Sequence, residues 1–112
     1  MQIKLYRSAT VGIIFDSGKI LCDPWLTDGE YYGSWSHFPK FNFNDNLNEL
    51  NSYDYIYISH IHPDHSSENT MKKLDKSIPV IIHNYHSKFL KAKIERLGFQ
   101  VIELNHNVRT EL

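Results

Sequence analysis

The sequence predicts an α/β fold: a β meander followed by β-α-β-α-β. Three observations predict it. The chain opens with short β-branched and apolar runs, "IKLYR" and "TVGIIFDSGKILCD", which read as three strands. Three more runs, "YDYIYISH", "IPVIIHN" and "FQVIEL", follow at wider spacing. Between them lie two segments of helical character, "ENTMKKLDK" and "HSKFLKAKIERLG". The expected product is a mixed sheet with its strands mostly covered by helices, an α/β sandwich layout.

Each element has a local reason. Asp16-Ser17-Gly18-Lys19 is the turn of a hairpin, with Gly18 expected to supply a positive φ. From Pro24 to about Asn44 the chain is irregular, rich in Gly, Pro, Asp and aromatics, and a stretch of that length inside a compact domain points to a functional loop. "YDYIYISH" alternates apolar residues as a strand does. Ser66 or Ser67 caps the first helix, with Glu68 favourable in its first turn. "IPVIIHN" is a continuous apolar run of the buried-strand kind. Leu90, Ile94 and Leu97 share one face of the second helix, and Gly98 stops it.

Composition narrows the function. Hydrophobic residues make up 41% and charged residues 22% of the 112, a globular balance rather than a disordered one. The net charge of -1, with scattered Lys and Arg, counts against a nucleic-acid or anionic-lipid surface. Cys22 is the single cysteine, so no intramolecular disulfide can form, which suits a reducing compartment. The start lacks a signal-peptide pattern, and no run approaches the ~20 apolar residues of a membrane span. The expectation is a soluble cytoplasmic protein, residues 1–112 forming a single domain.

"SHIHPDH", Ser59 to His65, places His60, His62, Asp64 and His65 within six positions directly after a strand. Sheet strands feed ligands at such ends. Residues two apart in an extended segment point the same way, so His60 and His62 can grip one ion, while the Pro63 turn aims Asp64 and His65 at a neighbouring position. Imidazoles with one carboxylate suit zinc, and manganese or iron equally.

The His-x-His-x-Asp-His run resembles the signature of the metallo-β-lactamase superfamily of hydrolases. "SATVGIIFDSGKILCDPWL" is similar to the hairpin and Asp-Pro-Trp-Leu segment of the branch that holds lactonase-like hydrolases and relatives of CMP-sialic acid hydroxylase. The resemblance implies the N-terminal half of an αββα sandwich. It implies a first metal on His60 and His62 and a second on Asp64 and His65, with a metal-activated water attacking a lactone, phosphoester or similar bond. Asp64 would orient that water and accept its proton. Asp23 would hold a ligand histidine in its tautomer from behind. Trp25 and His37, in the aromatic loop, are candidates to touch a small-molecule substrate.

The family's later ligands have no recognisable counterpart. The 47 residues after His65 (112 − 65) hold only His83, His86 and His106, read as a sheet-end residue, a surface residue at a helix start and a loop residue. The resemblance therefore implies either part of a longer protein or a homodimer formed through an exposed sheet face. A Rieske centre takes two cysteines and two histidines, which Cys22 alone cannot meet. Cys22 itself reads as a small buried hydrophobe. The expectation is a metal-dependent hydrolase using one or two zinc ions; the alternative is a metal-binding or assembly module without turnover.

Overall fold

The computed structural model describes residues 1–112. Its strands are β1 (Gln2–Arg7), β2 (Thr10–Phe15), β3 (Gly18–Cys22), β4 (Tyr55–Ile58), β5 (Val80–His83) and β6 (Val101–Leu104). Its helices are α1 (Phe43–Leu50), α2 (Glu68–Lys73) and α3 (Phe89–Arg96). All six strands form one sheet in the order β1-β2-β3-β4-β5-β6. The β1–β2 and β2–β3 pairs are antiparallel; β3 to β6 run parallel.

This sequential order decides where the core lies. Parallel neighbours that always advance in one direction, joined by crossovers of one hand, put every helix on the same face. Leu21, Ile56, Ile58, Val80 and Ile82 accordingly share one core with Leu50 of α1, Met71 of α2 and Leu90 and Ile94 of α3. The opposite face has no helix. The register lines up Ile3, Ile13, Ile20 and Tyr55 in one row across it, and Leu5, Val11, Cys22, Tyr57, Ile81 and Ile102 in the next. None of these belongs to the core cluster; Ile81 is buried, the others are partly exposed, and Ile3 and Leu5 are 66% and 68% exposed. Fully burying such a side chain is worth about 1.5–3 kcal/mol, so this face is an unused store of association energy. The expectation that helices cover the strands holds for one face only.

Other local expectations need correction. Asp16-Ser17 forms the hairpin's two-residue turn, closed by the Phe15–Gly18 pair, and Gly18 begins β3 without a positive φ. Helix α1 has no counterpart in the sequence reading. It starts at Asn42, whose side chain accepts the Asp45 N–H at 3.2 Å. Ser67 is the cap of α2, accepting from the Thr70 N–H. That helix stops at Lys73, short of the expected Lys76, because Leu74 turns extended. The Lys76 ammonium then donates to the Met71, Lys72 and Leu74 carbonyls that the helix end leaves free. Helix α3 ends as expected on Gly98, at φ 97°, in a Schellman arrangement: Phe99 N–H to Ile94 O and Gly98 N–H to Glu95 O. It begins only at Phe89, so His86 lies in the preceding loop. No helix is long and apolar enough to cross a membrane.

Beneath the sheet, Tyr53 leaves no room over β2. A Cβ added at Gly12 would sit 1.9 Å from the Tyr53 hydroxyl, which is itself tied to Tyr6 at 2.8 Å in a buried position. Gly12→Ala is therefore expected to destabilise the chain by about 1–3 kcal/mol through overpacking. A lowered urea midpoint at unchanged slope is the readout; an unshifted midpoint would show that Tyr53 can move aside.

Candidate functional site

Asp23 follows β3 in the left-handed region, at φ 45°, a backbone conformation that Asp tolerates better than most residues. Its own N–H donates to Tyr57 O at 2.8 Å and its carbonyl accepts the Thr10 hydroxyl at 2.9 Å. The carboxylate thus stands beside the end of the neighbouring parallel strand, β4. There Oδ1 accepts the Ser59 N–H at 2.7 Å and Oδ2 accepts the Ser59 hydroxyl at 2.7 Å. The same Oδ2 lies 2.8 Å from His65 Nδ1. A carboxylate can only accept, so His65 carries a proton on Nδ1.

The cluster residues converge beyond Ser59. His60 Nδ1 is 2.8 Å from the Ser59 hydroxyl, and its Nε2 is 3.1 Å from His62 Nδ1. The His60 and His65 rings pack with centroids 4.1 Å apart. Asp64 Oδ1 accepts the Tyr31 hydroxyl at 2.7 Å, while Oδ2 faces His65 Nε2 at 3.5 Å. Burial pushes the Asp64 carboxyl up, but the Tyr31 hydroxyl, a backbone N–H and the neighbouring histidines outweigh it and hold the group below the usual value. Three of the four side chains thus have one polar atom tied, to Ser59, Tyr31 or Asp23.

Their remaining atoms fall into two donor pairs, His60 Nε2 with His62 Nδ1 and Asp64 Oδ2 with His65 Nε2. Two ligands sharing a tetrahedral zinc at 2.0–2.1 Å stand about 3.3 Å apart. The spacings of 3.1 and 3.5 Å bracket that value, so each pair fits a two-point grip. No three His, Cys, Asp or Glu side chains converge on one ion position. His83 and His106 pair with each other 6.3 Å apart, ring to ring, at the end of β5.

The loop after Asp23 supports the site from one side. Tyr31 and Tyr32 both take positive φ, 51° and 60°, within a turn closed by the Glu30–Trp35 bridge. Glu30 is buried and accepts the Ser67 hydroxyl at 2.5 Å, which anchors the turn to the start of α2. Trp25 and His37 are 3% and 9% exposed, with ring centroids 4.1 Å apart. They pack the loop from inside and offer no outer surface to a substrate; Trp35, Tyr32 and Phe38 are its exposed aromatics. Burial pushes the His37 imidazole down. Cys22 is half-buried rather than buried, on the open sheet face, and burial followed by the nearby Asp23 charge pushes its thiol up to about 11. That thiol stays protonated and is a poor nucleophile near neutral pH.

On the other side, the Lys93 ammonium of α3 donates to the Ser66 carbonyl at 2.7 Å and hydroxyl at 3.0 Å, closing the cluster loop. Beside His60 lies a cavity of about 360 Å³ lined also by Ile61, Tyr85, His86, Ser87, Phe89 and Leu90. Sequence reasoning missed Ser59 and Tyr31. The serine was legible as the residue preceding the cluster. Nothing in the pattern connects Tyr31 to Asp64 across 33 positions.

No protein-family model matches the chain. It is 36% identical over 100 residues, 88% of its length, to a Mycolicibacterium smegmatis protein named for a Rieske 2Fe-2S iron-sulfur centre. It is 34% identical over 110 residues, 94% of its length, to the inactive human cytidine monophosphate-N-acetylneuraminic acid hydroxylase. The matched segments are 19% and 21% of those proteins, so the chain spans about a fifth of the curated relatives. Among solved structures, an isothiocyanate hydrolase from Delia radicum gut bacteria superposes with TM-score 0.68 at 22% identity, over 93% of this chain and 41% of that one. A protein of Veillonella parvula described as a possible metal-dependent hydrolase gives 0.63 at 22% identity, over 85% and 38%. The fold is therefore one found in metallo-hydrolase-like proteins. The Rieske name does not transfer to these residues, because one cysteine cannot supply the two that such a centre needs.

Asp23→Ala is expected to cost about 1–3 kcal/mol, since it strands the Ser59 N–H, the Ser59 hydroxyl and the His65 Nδ1–H. His62→Ala, which breaks only the contact with His60, is expected to be near neutral. Chemical denaturation of the two variants, compared with the parent chain, orders them.

Proposed function

We propose that this chain carries the first part of the active site of a metal-dependent hydrolase of the metallo-β-lactamase type. The observation that carries the reading is the pair of two-point grips with tied outer atoms, at the end of a parallel strand. His60 Nε2 and His62 Nδ1 would hold one ion, and Asp64 Oδ2 with His65 Nε2 a second. Zinc is the leading candidate, with manganese or iron compatible with the same donors. A bound zinc supplies a water whose pKa falls from 15.7 towards about 7, able to attack a lactone, phosphoester or similar bond.

The chain's own groups divide the remaining work. Tyr31 occupies Asp64 Oδ1, so Oδ2 is the carboxylate oxygen left to hold the ion, and orienting the attacking water and taking its proton would fall to Oδ1 once Tyr31 gives way. Asp23, taking the Nδ1–H, would leave Nε2 of the neutral His65 imidazole for the ion. The cavity beside His60 has the size of a small-molecule pocket, and its Ile61, Tyr85, Phe89 and Leu90 lining suits the apolar part of an uncharged substrate. Net charge and the absence of a basic run disfavour nucleic acid as that substrate. A reducing, cytoplasmic setting suits the free thiol of Cys22.

Each ion still needs ligands beyond its pair, since catalytic zinc takes three protein ligands and an open position. The open sheet face is the surface through which a second αβ layer would dock, whether from a longer chain or from a second copy in a homodimer. The relatives and solved structures, all much longer than this segment, favour the longer chain. The lack of three converging ligands also supports a second reading, a metal-binding or assembly module without turnover.

Calorimetric titration of the metal-free chain with Zn²⁺ and Mn²⁺ separates these readings when paired with a panel of aryl esters, lactones and phosphoesters. Saturable binding at one or two ions per chain, weakened at least about tenfold in His60→Ala and His62→Ala but not in His86→Ala, is expected. Turnover lost to chelator and regained with metal supports the hydrolase, and binding without turnover supports the module. Absence of binding by the wild-type chain would sink both.

A further inference from the structure

We propose that Ser59 is a positioning residue that carries the influence of Asp23 to His60, fixing His60 as its Nδ1–H tautomer with Nε2 bare towards His62. The argument is a count of protons. The Ser59 hydroxyl has one hydrogen and two close neighbours, Asp23 Oδ2 at 2.7 Å and His60 Nδ1 at 2.8 Å. A carboxylate oxygen cannot donate, so the hydroxyl must give its hydrogen to Asp23. Were it given to His60 instead, two oxygens with no hydrogen between them would face each other at 2.7 Å. The Ser59 oxygen is then left to accept, and only a protonated His60 Nδ1 can donate to it. In the neutral imidazole His60 Nε2 is then bare, and His62 Nδ1, 3.1 Å away, is placed to donate to it.

The main chain of Ser59 is held as well as its hydroxyl. Its N–H goes to Asp23 Oδ1, and its carbonyl accepts the Tyr85 hydroxyl. One carboxylate therefore sets two imidazoles: His65 directly, and His60 through Ser59. The direct and relayed routes start from the same atom, Oδ2, so both histidines respond to one charge. An imidazole that presents the wrong nitrogen must exchange a proton before it can ligate, and outer hydrogen bonds of this kind typically change metal affinity by about 10–100-fold. The tautomer assignment stands on the metal-free geometry; only its consequence for metal affinity rests on the function proposed above.

The test is ¹⁵N NMR of the imidazole nitrogens in the metal-free chain near neutral pH, where two-bond couplings report which nitrogen bears the proton. His60 and His65 are both expected as Nδ1–H. In Ser59→Ala, His60 should shift towards the Nε2–H form while His65, still on Asp23, stays unchanged. Ser59→Thr, which keeps the hydroxyl, should restore the parent signature, a rescue that a merely structural role would not track nitrogen by nitrogen. Zn²⁺ affinity should fall about 10–100-fold in Ser59→Ala and recover in Ser59→Thr. Finding His60 as Nε2–H in the wild-type chain, or unmoved by Ser59→Ala, would overturn the relay. A correct tautomer pattern in a chain that binds no Zn²⁺ would uphold the relay and reject the metal reading.

Discussion

The Asp23 carboxylate is the interaction on which the rest of the site depends. It sits where β3 ends, and β3 is the strand at which the sheet changes from antiparallel to parallel pairing. Its main chain is fixed by Tyr57 and Thr10, so the carboxylate is aimed by the sheet rather than by a mobile loop. From there it accepts a backbone N–H, a hydroxyl and an imidazole N–H. A left-handed backbone conformation at a non-glycine residue persists only where surrounding contacts over-determine it, and here they do. The cluster after β4 inherits its geometry from this one side chain. Ser59, His60 and His65 are arranged around it, and Asp64 is the one cluster residue held from elsewhere, by Tyr31.

The sheet order produces the second constraint. Because β3 to β6 advance in one direction, the helices and the buried core are confined to one face. The other face is left apolar across at least two rows of side chains. On the metal reading proposed above, the open face and the donor pairs, each short of a full ligand set, are two sides of one shortage. A second layer that buried the rows could also bring the missing donors to the strand ends. The curated relatives are about five times the length of this chain.

What the sequence made legible followed from periodicity and local chemistry. All six strands, two of the three helices, the Ser67 cap and the Gly98 stop each depend on residues adjacent in the chain. Helix α1 escaped because "FNDNLNEL" holds three Asn among eight residues, and Asn favours turns over helix interiors. It forms because Phe43 and Leu50 are buried in the core, a tertiary cause that propensity does not contain. That Trp25 and His37 pack inward was not legible for a related reason: an aromatic-rich loop can pack inward or face outward, and composition is the same in both cases. Asp23 and the cluster could be singled out as chemically apt. That Tyr31 would reach Asp64, and that Ser59 would stand between Asp23 and His60, are facts of three-dimensional approach.

The hydrogen-bonding pattern also says which side chain is free to differ. His60, Asp64 and His65 each have one polar atom tied and one presented, whereas His62 touches only His60 through Nδ1 and is otherwise exposed. A donor with a fixed tautomer loses little on binding an ion, while an unanchored one must be ordered at that moment. The site is therefore pre-organised at three positions and adjustable at the fourth. On the proposed reading, an ion at the His60–His62 pair would meet one fixed donor, His60, and would settle its position by ordering His62. The three tied atoms, more than the histidine count, are what the proposed metal reading rests on.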